Sequence, residues 1–158
     1  MLEFPENLLE MINQNLGEYN RTIGLRFIKA DAEEFVSEIA ITKSHQQPYG
    51  LVHGGVYAAM VETSCSVGSA LHVFAEGKSS VGLENATSFL RAVRSGTLRC
   101  TARPLLMGKR SHVWEAHIHD DRGRLVATGR VRTMILEPGA AAGGVTVELR
   151  QDESEESK

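Results

Sequence analysis

The chain has 158 residues, 42% of them hydrophobic and 23% charged, with a formal net charge of −3. That is one ordinary domain with enough apolar material for a core, so a disordered or fibrous chain is excluded, and no apolar run approaches the roughly 18 residues of a membrane span. The two cysteines, Cys65 and Cys100, are too few for a disulfide framework or a zinc site by themselves.

In chain order, the acidic start Met1-Leu-Glu-Phe-Pro-Glu lacks the basic opening of a signal peptide, so a cytoplasmic location is expected. Leu8, Leu9, Ile12 and Leu16 recur at helical spacing after Pro5, which predicts a short amphipathic helix over 5–16. Residues 24–30 and 34–42 read as two strands of a hairpin turning at 31–33, with Phe35, Ser37, Ile39 and Ile41 on one face. Residues 43–53 form a loop punctuated by Pro48 and Gly50.

A helix of about 22 residues, or roughly 33 Å, is expected within 54–77. Val56, Met60, Val67, Leu71 and Phe74 form its apolar stripe, and the other face is small: Gly55, Ala58, Ala59, Ser66 and Ser69. A helix apolar or small nearly all round is buried. Four strands follow at 79–90, 96–106, 111–119 and 124–136, with turns at Gly108-Lys109 and Asp120-Asp121-Arg122-Gly123. The first of the four is the least regular.

Short links imply antiparallel neighbours. The expected architecture is α+β: one long buried helix wrapped by a curved antiparallel sheet of about six strands. Residues 1–137 make a single domain. Residues 138–158, rich in Ala and Gly and then acidic, are expected to be a flexible tail with an extended piece at 145–149.

The charge is unevenly placed. Residues 1–76 carry ten acids and four bases, residues 77–137 five acids and eleven bases, and residues 138–158 five acids and two bases. The basic second half suggests contact with an anion, but its bases form no single run, so a nucleic-acid partner is not expected.

One stretch combines two unusual features. Gly54-Gly55 stand where a loop becomes a helix, and free N–H groups at a helix start favour negative charge. Glu62, the only carboxylate between Gly54 and Ala75, lies two turns into that apolar helix. An unpaired carboxylate is costly to bury and rarely kept without use. Separately, each feature has a structural reading: His53-Gly54-Gly55 as a helix cap, His53 as a hydrogen-bonded core histidine, Glu62 as the partner of an arginine across a subunit interface. Their coincidence at one junction favours function. Glu115, His117 and His119 share a strand face, but no further spaced ligand follows and no metal site is expected. Cys65 and Trp114 read as packing.

The segment QPYGLVHGGVYAAMVETSCSVGSAL resembles the signature of hotdog-fold acyl-CoA thioesterases. It is most similar to the branch of 4-hydroxybenzoyl-CoA, 1,4-dihydroxy-2-naphthoyl-CoA and PaaI-type phenylacetyl-CoA thioesterases. The likeness extends through VGLENATSFLRAVRSGTL and PLLMGKRSHVWEAHIHDDRGRLVATGRVRT, about residues 20–136. It implies hydrolysis of an aryl- or medium-acyl-CoA, with Glu62 as nucleophile or general base and Gly54 or Gly55 as oxyanion donor.

Gln47 and His53 then match side chains that orient the carbonyl and the site, and Thr63 and Ser66 match small polar positions beside the carboxylate. Arg91, Arg94, Lys109, Arg110 and Ser111 are the implied ligands of the coenzyme A phosphates, with Phe89 and Val67 completing the substrate-binding set. Glutamate rather than aspartate favours the hydroxybenzoyl and dihydroxynaphthoyl side. Phe89, however, stands where dihydroxynaphthoyl enzymes carry histidine, which leaves phenylacetyl, other aryl or medium acyl groups. No cofactor is implied, since coenzyme A belongs to the substrate. A homodimer or homotetramer with shared sites is implied. Two competing readings are a hotdog dehydratase or hydratase and a non-catalytic acyl-CoA-binding module. The His53-to-Glu62 spacing argues against the first, and the N-terminal 23-residue segment, too short and too acidic for a DNA-binding segment, against the second.

Overall fold

The computed structural model describes residues 4–147. Two short helices replace the single one expected near the N-terminus: α1 (Leu8–Gln14) and α2 (Gly17–Thr22). Pro5 stands ahead of the first turn, its carbonyl accepting the Leu8 N–H at 3.0 Å. Gly17, at φ +74°, breaks the helical run. Helix α2 was not anticipated because Gly-Glu-Tyr-Asn-Arg-Thr has no apolar stripe, and none of its residues is buried.

Strands β1 (Arg26–Ala30) and β2 (Phe35–Ala40) form the expected hairpin. Asp31 closes its turn by accepting the N–H groups of Glu33 and Glu34 at 2.9 and 2.8 Å. After a 3-10 turn at Lys43–His45, the loop is laced to a later segment. The Val52 N–H reaches the Val93 carbonyl at 2.8 Å, and Gln46 Nε2 donates to the Arg94 carbonyl at 2.7 Å.

Helix α3 (Gly54–Phe74) starts where expected. Strands β3 (Ser79–Phe89), β4 (Thr97–Met107), β5 (Ser111–His119) and β6 (Leu125–Leu136) follow. The six strands form one antiparallel sheet in the order β1-β2-β4-β5-β6-β3, and α3 packs against β2 through β6. This is the α+β arrangement read from the sequence. It also widens the buried face of α3 beyond one stripe, because five strands cover it. Val56 and Met60 are buried as expected, but so are Tyr57, Val61, Ser64, Cys65, Gly68, Ser69 and Val73. Phe74, expected inside, is 57% exposed. At Gly68 helix and sheet approach so closely that an added Cβ would lie 2.5 Å from the buried Trp114 ring. Burial holds the thiols of Cys65 and Cys100 protonated, well above the usual cysteine range.

Strand β3 pairs only with β6 and so lies at an edge of the sheet. Its register slips between Gly82 and Glu84, a bulge that bends the strand and changes which side chains face the helix. Beyond β6, β7 (Ala141–Ala142) and β8 (Val145–Thr146) make a small hairpin, and Ser79 Oγ donates to the Val147 carbonyl at 3.1 Å. The extended piece expected at 145–149 thus begins as β8. The residues after Val147, which include the acidic residues of the tail, lie outside the described residues.

Candidate active site

Between α2, α3 and the edge strand β3 lies a cleft of about 550 Å³, a volume suited to a small-molecule group. Tyr19 contributes from α2, Gly55, Ala58, Ala59, Glu62 and Thr63 from α3, and Asn85, Thr87 and Phe89 from β3. The helix supplies its residues by pitch: Gly55, Ala58, Ala59 and Glu62 recur every three or four positions and share a face. Small side chains there leave room for a ligand, and Glu62 is the one carboxylate in the lining.

Glu62 is half-buried and paired, not the buried, unpaired carboxylate expected from the helix pattern. Ser66 Oγ donates to its Oε1 at 3.2 Å and Asn85 Nδ2 to its Oε2 at 2.9 Å. The carboxylate lies over Gly82, where an added Cβ would stand 2.5 Å from Oε1. Glycine in the strand interior is therefore the condition for this placement. Thr63 Oγ1 donates to Asn20 Oδ1 at 2.8 Å, tying α2 to α3 instead of pointing at the carboxylate.

At the helix start, His53 is the N-cap and its Nδ1 accepts the Gly55 N–H at 2.9 Å. Among the described residues, the Gly54 N–H makes no hydrogen bond. The Phe89 ring covers the α-carbon of Gly54, where a Cβ would meet it at 2.6 Å, and lies tilted against the Tyr57 ring with centroids 5.7 Å apart. Gln47 lies outside the cleft lining, its Oε1 accepting the Tyr49 N–H of its own loop at 2.6 Å.

The basic candidates are not gathered. Arg94 is engaged with the loop carbonyls of Tyr49 and Gly50 at 3.0 and 3.3 Å. Arg91 is exposed just past the Phe89 end of β3. Lys109, Arg110 and Ser111 sit at the β4–β5 turn, level with the other end of β3, since Ser111 pairs with Met134 and Met134 with Val81. None of the five lines the cleft. Val67 does not either; it packs against the hydrophobic core. Among the described residues, no three His, Cys, Asp or Glu side chains gather as a metal site would require, and no helix is long and apolar enough to cross a membrane.

Sequence reasoning did not single out Tyr19, Asn85, Thr87 or Gly82. A glycine within a strand was the one available signal for a close approach. It also did not anticipate a sealed polar cluster two turns beyond Glu62. There Ser69 Oγ meets Ser80 Oγ at 2.9 Å, His112 Nδ1 at 2.9 Å and Thr133 Oγ1 at 2.7 Å. Burial first, and then the neighbouring His72, hold His112 below the ordinary histidine range.

A model of the thioesterase superfamily matches residues 49–127. The 1,4-dihydroxy-2-naphthoyl-CoA hydrolase of Escherichia coli is 34% identical over 130 residues, covering 81% of this chain and 94% of the relative. The proofreading thioesterase EntH of Klebsiella pneumoniae is 35% identical over 114 residues, 72% of this chain and 82% of the relative. Among solved structures, a mutant of thioesterase PA1618 from Pseudomonas aeruginosa superposes with a TM-score of 0.79 at 28% identity, covering 85% of this chain and 96% of the other. Thioesterase HI1161 from Haemophilus influenzae gives 0.76 at 26% identity, with 87% and 93% covered.

Proposed function

The chain belongs to the thioesterase superfamily, has the hotdog fold and is a thioester hydrolase, and from that premise we propose that it cleaves an aryl- or medium-acyl-CoA to the free acid and coenzyme A, with Glu62 as the reacting carboxylate. The observation that carries this reading is that Glu62 is the one carboxylate lining a cleft that also reaches Gly55 at the helix start. A helix N-terminus would receive the thioester oxygen and the carboxylate would act at its carbonyl carbon.

Gly54 is assigned as oxyanion donor because its N–H is uncommitted among the described residues while that of Gly55, the one of the pair that lines the cleft, is held by His53. Glu62 either attacks the carbonyl carbon, giving a mixed anhydride and the coenzyme A thiolate, or removes a proton from water that attacks instead. Ser66, on Oε1, is placed to hold that water. Tyr19, Ala58, Ala59 and Phe89 give the acyl group mostly apolar surroundings, which suits an unhydroxylated aryl or medium acyl chain.

The open edge of β3 supports a homodimer. Eleven residues of strand have one side unpaired, with Leu83 50% and Phe89 57% exposed, a liability that edge-to-edge pairing removes. An antiparallel pairing of two β3 edges would bring the Arg91 end of one copy beside the Gly82 end of the other, so phosphate anchoring would be completed between subunits. A free-thiol assay over benzoyl-, phenylacetyl- and medium-chain acyl-CoAs, run on the wild type and Glu62→Gln, tests the assignment. Thiol release lost in the variant supports it; undiminished turnover in Glu62→Gln overturns it.

A further inference from the structure

Glu62 has one donor on each carboxylate oxygen. Ser66 follows from helical pitch, one turn along. Asn85 comes across from the sheet, and the reason it faces the cleft is the bulge in β3. Strict alternation from Ser80 and Gly82 would place Glu84, Ala86 and Ser88 on the helix side. The register slip at Gly82/Glu84 instead sets Asn85 opposite Val131, Thr87 opposite Gly129 and Phe89 opposite Ala127. Val131 and Ala127 are buried beneath the helix, so these β3 residues share its side. Glu84 turns to the opposite face and pairs with Arg132 at 3.4 Å. One extra residue thus exchanges a carboxylate for an amide beside Glu62. Two carboxylates there would each disfavour ionisation of the other.

The amide is itself oriented. Thr87 Oγ1 donates to Asn85 Oδ1 at 2.6 Å, so the NH₂ end faces the carboxylate. One N–H goes to Glu62 Oε2 at 2.9 Å and the other toward the Ala58 carbonyl of α3 at 3.1 Å. Although Asn85 lies on an exposed edge strand, its donors and its acceptor are committed between the helix and Thr87.

We propose that Asn85, aimed by the β3 bulge and oriented by Thr87, is the positioning residue for the Glu62 carboxylate. It fixes the carboxylate over Gly82 through a hydrogen bond that only the sheet can supply. The proposal rests on Glu62 being the reacting group.

The experiment compares the full chain with Asn85→Ala, Asn85→Asp and Thr87→Val, reading kcat, KM, the acid limb of the pH–kcat profile, and the carbon-13 titration of the Glu62 carboxyl. Melting curves confirm folding. Asn85→Ala is expected to lower kcat about ten- to a hundredfold with KM changed less than about threefold, the loss of one hydrogen bond to a charged group. Its acid limb moves to higher pH. Asn85→Asp moves the limb further, by about one pH unit or more, since it brings back the second carboxylate that the bulge removes. Thr87→Val shows the same direction with a smaller change. A Glu62 titration midpoint and acid limb unchanged in both Asn85 variants would overturn the proposal, as would a loss confined to KM. The carbon-13 midpoint reads the coupling independently of turnover. An active Glu62→Gln enzyme would therefore refute the assignment of the reacting group while leaving the Asn85 contact separately decided.

Discussion

Two polar clusters lie in succession along the same helix, and they are built differently. At the cleft, the Glu62 carboxylate is half-buried and held by Ser66 and Asn85. Two turns on, Ser69, Ser80, His112 and Thr133 form a cluster with no carboxylate, and Ser69, His112 and Thr133 are all buried. Both rest against β3 and β6, where Gly82 and Thr133 are register partners. A carboxylate can be kept where solvent or ligand reaches it, whereas a sealed cluster is sustainable only if every member is neutral and bonded. The first cluster is suited to chemistry and the second to fixing the helix on the sheet.

The sharpest way to break this contrast is Glu62→Gln. Turnover should fall by about 10²–10⁴ while the melting temperature barely moves; a comparable loss of stability would make Glu62 a structural group. Next in size is Gly82→Ala. The added methyl would stand 2.5 Å from Oε1, and because that oxygen ends a flexible side chain, the fold should persist. Misplacing the carboxylate by about 1 Å should lower kcat by up to about a hundredfold, measured against an unchanged urea midpoint.

Ser69→Ala should do the reverse. It leaves Ser80, His112 and Thr133 without their common partner, so unfolding in urea should show a loss of about 1–3 kcal/mol, with kcat per folded molecule retained. The smallest effect is on pH. The folded state holds His112 below its unfolded value. Between those two values the unfolded chain binds more protons, so this contribution to stability is present above about pH 6.5 and is lost as pH falls toward the depressed value. His112→Gln should flatten that part of the stability–pH curve; an unchanged curve would place the titration elsewhere.

Much of the fold was legible in the residues. Alternation in Leu98, Cys100 and Ala102 marked β4, all three being buried, and β5 was bounded correctly at 111–119. Local pattern failed where a side chain's environment came from a distant segment. Phe74 continued the apolar stripe of α3 but lies past the covering strands. Ala59 and Ser69, on the small face of α3, are buried, as a helix apolar or small nearly all round requires. Gln47 and Arg94, which the resemblance implied for the site, lie outside the cleft lining and bond loop backbone, and Thr63 lines the cleft but spends its hydroxyl on Asn20. Of the cleft itself, Gly55, Glu62, Thr63 and Phe89 were anticipated, and the helix-borne ones were the easiest to foresee because pitch fixes a face.

The basic second half exists, but Arg91 and the Lys109–Ser111 turn lie at opposite ends of the sheet, so one chain cannot bring them to one phosphate group. What the sequence by itself determined was the family, through the resemblance of its motifs, and, through periodicities and spacings within single segments, the long buried helix, the sheet's strands and the carboxylate two turns into that helix. What the tertiary structure decided was which groups meet that carboxylate. A single extra residue in β3 inverts the faces of everything after it, and whether Glu84 or Asn85 stands beside Glu62 depends on pairing with β6, nearly fifty residues further along the chain.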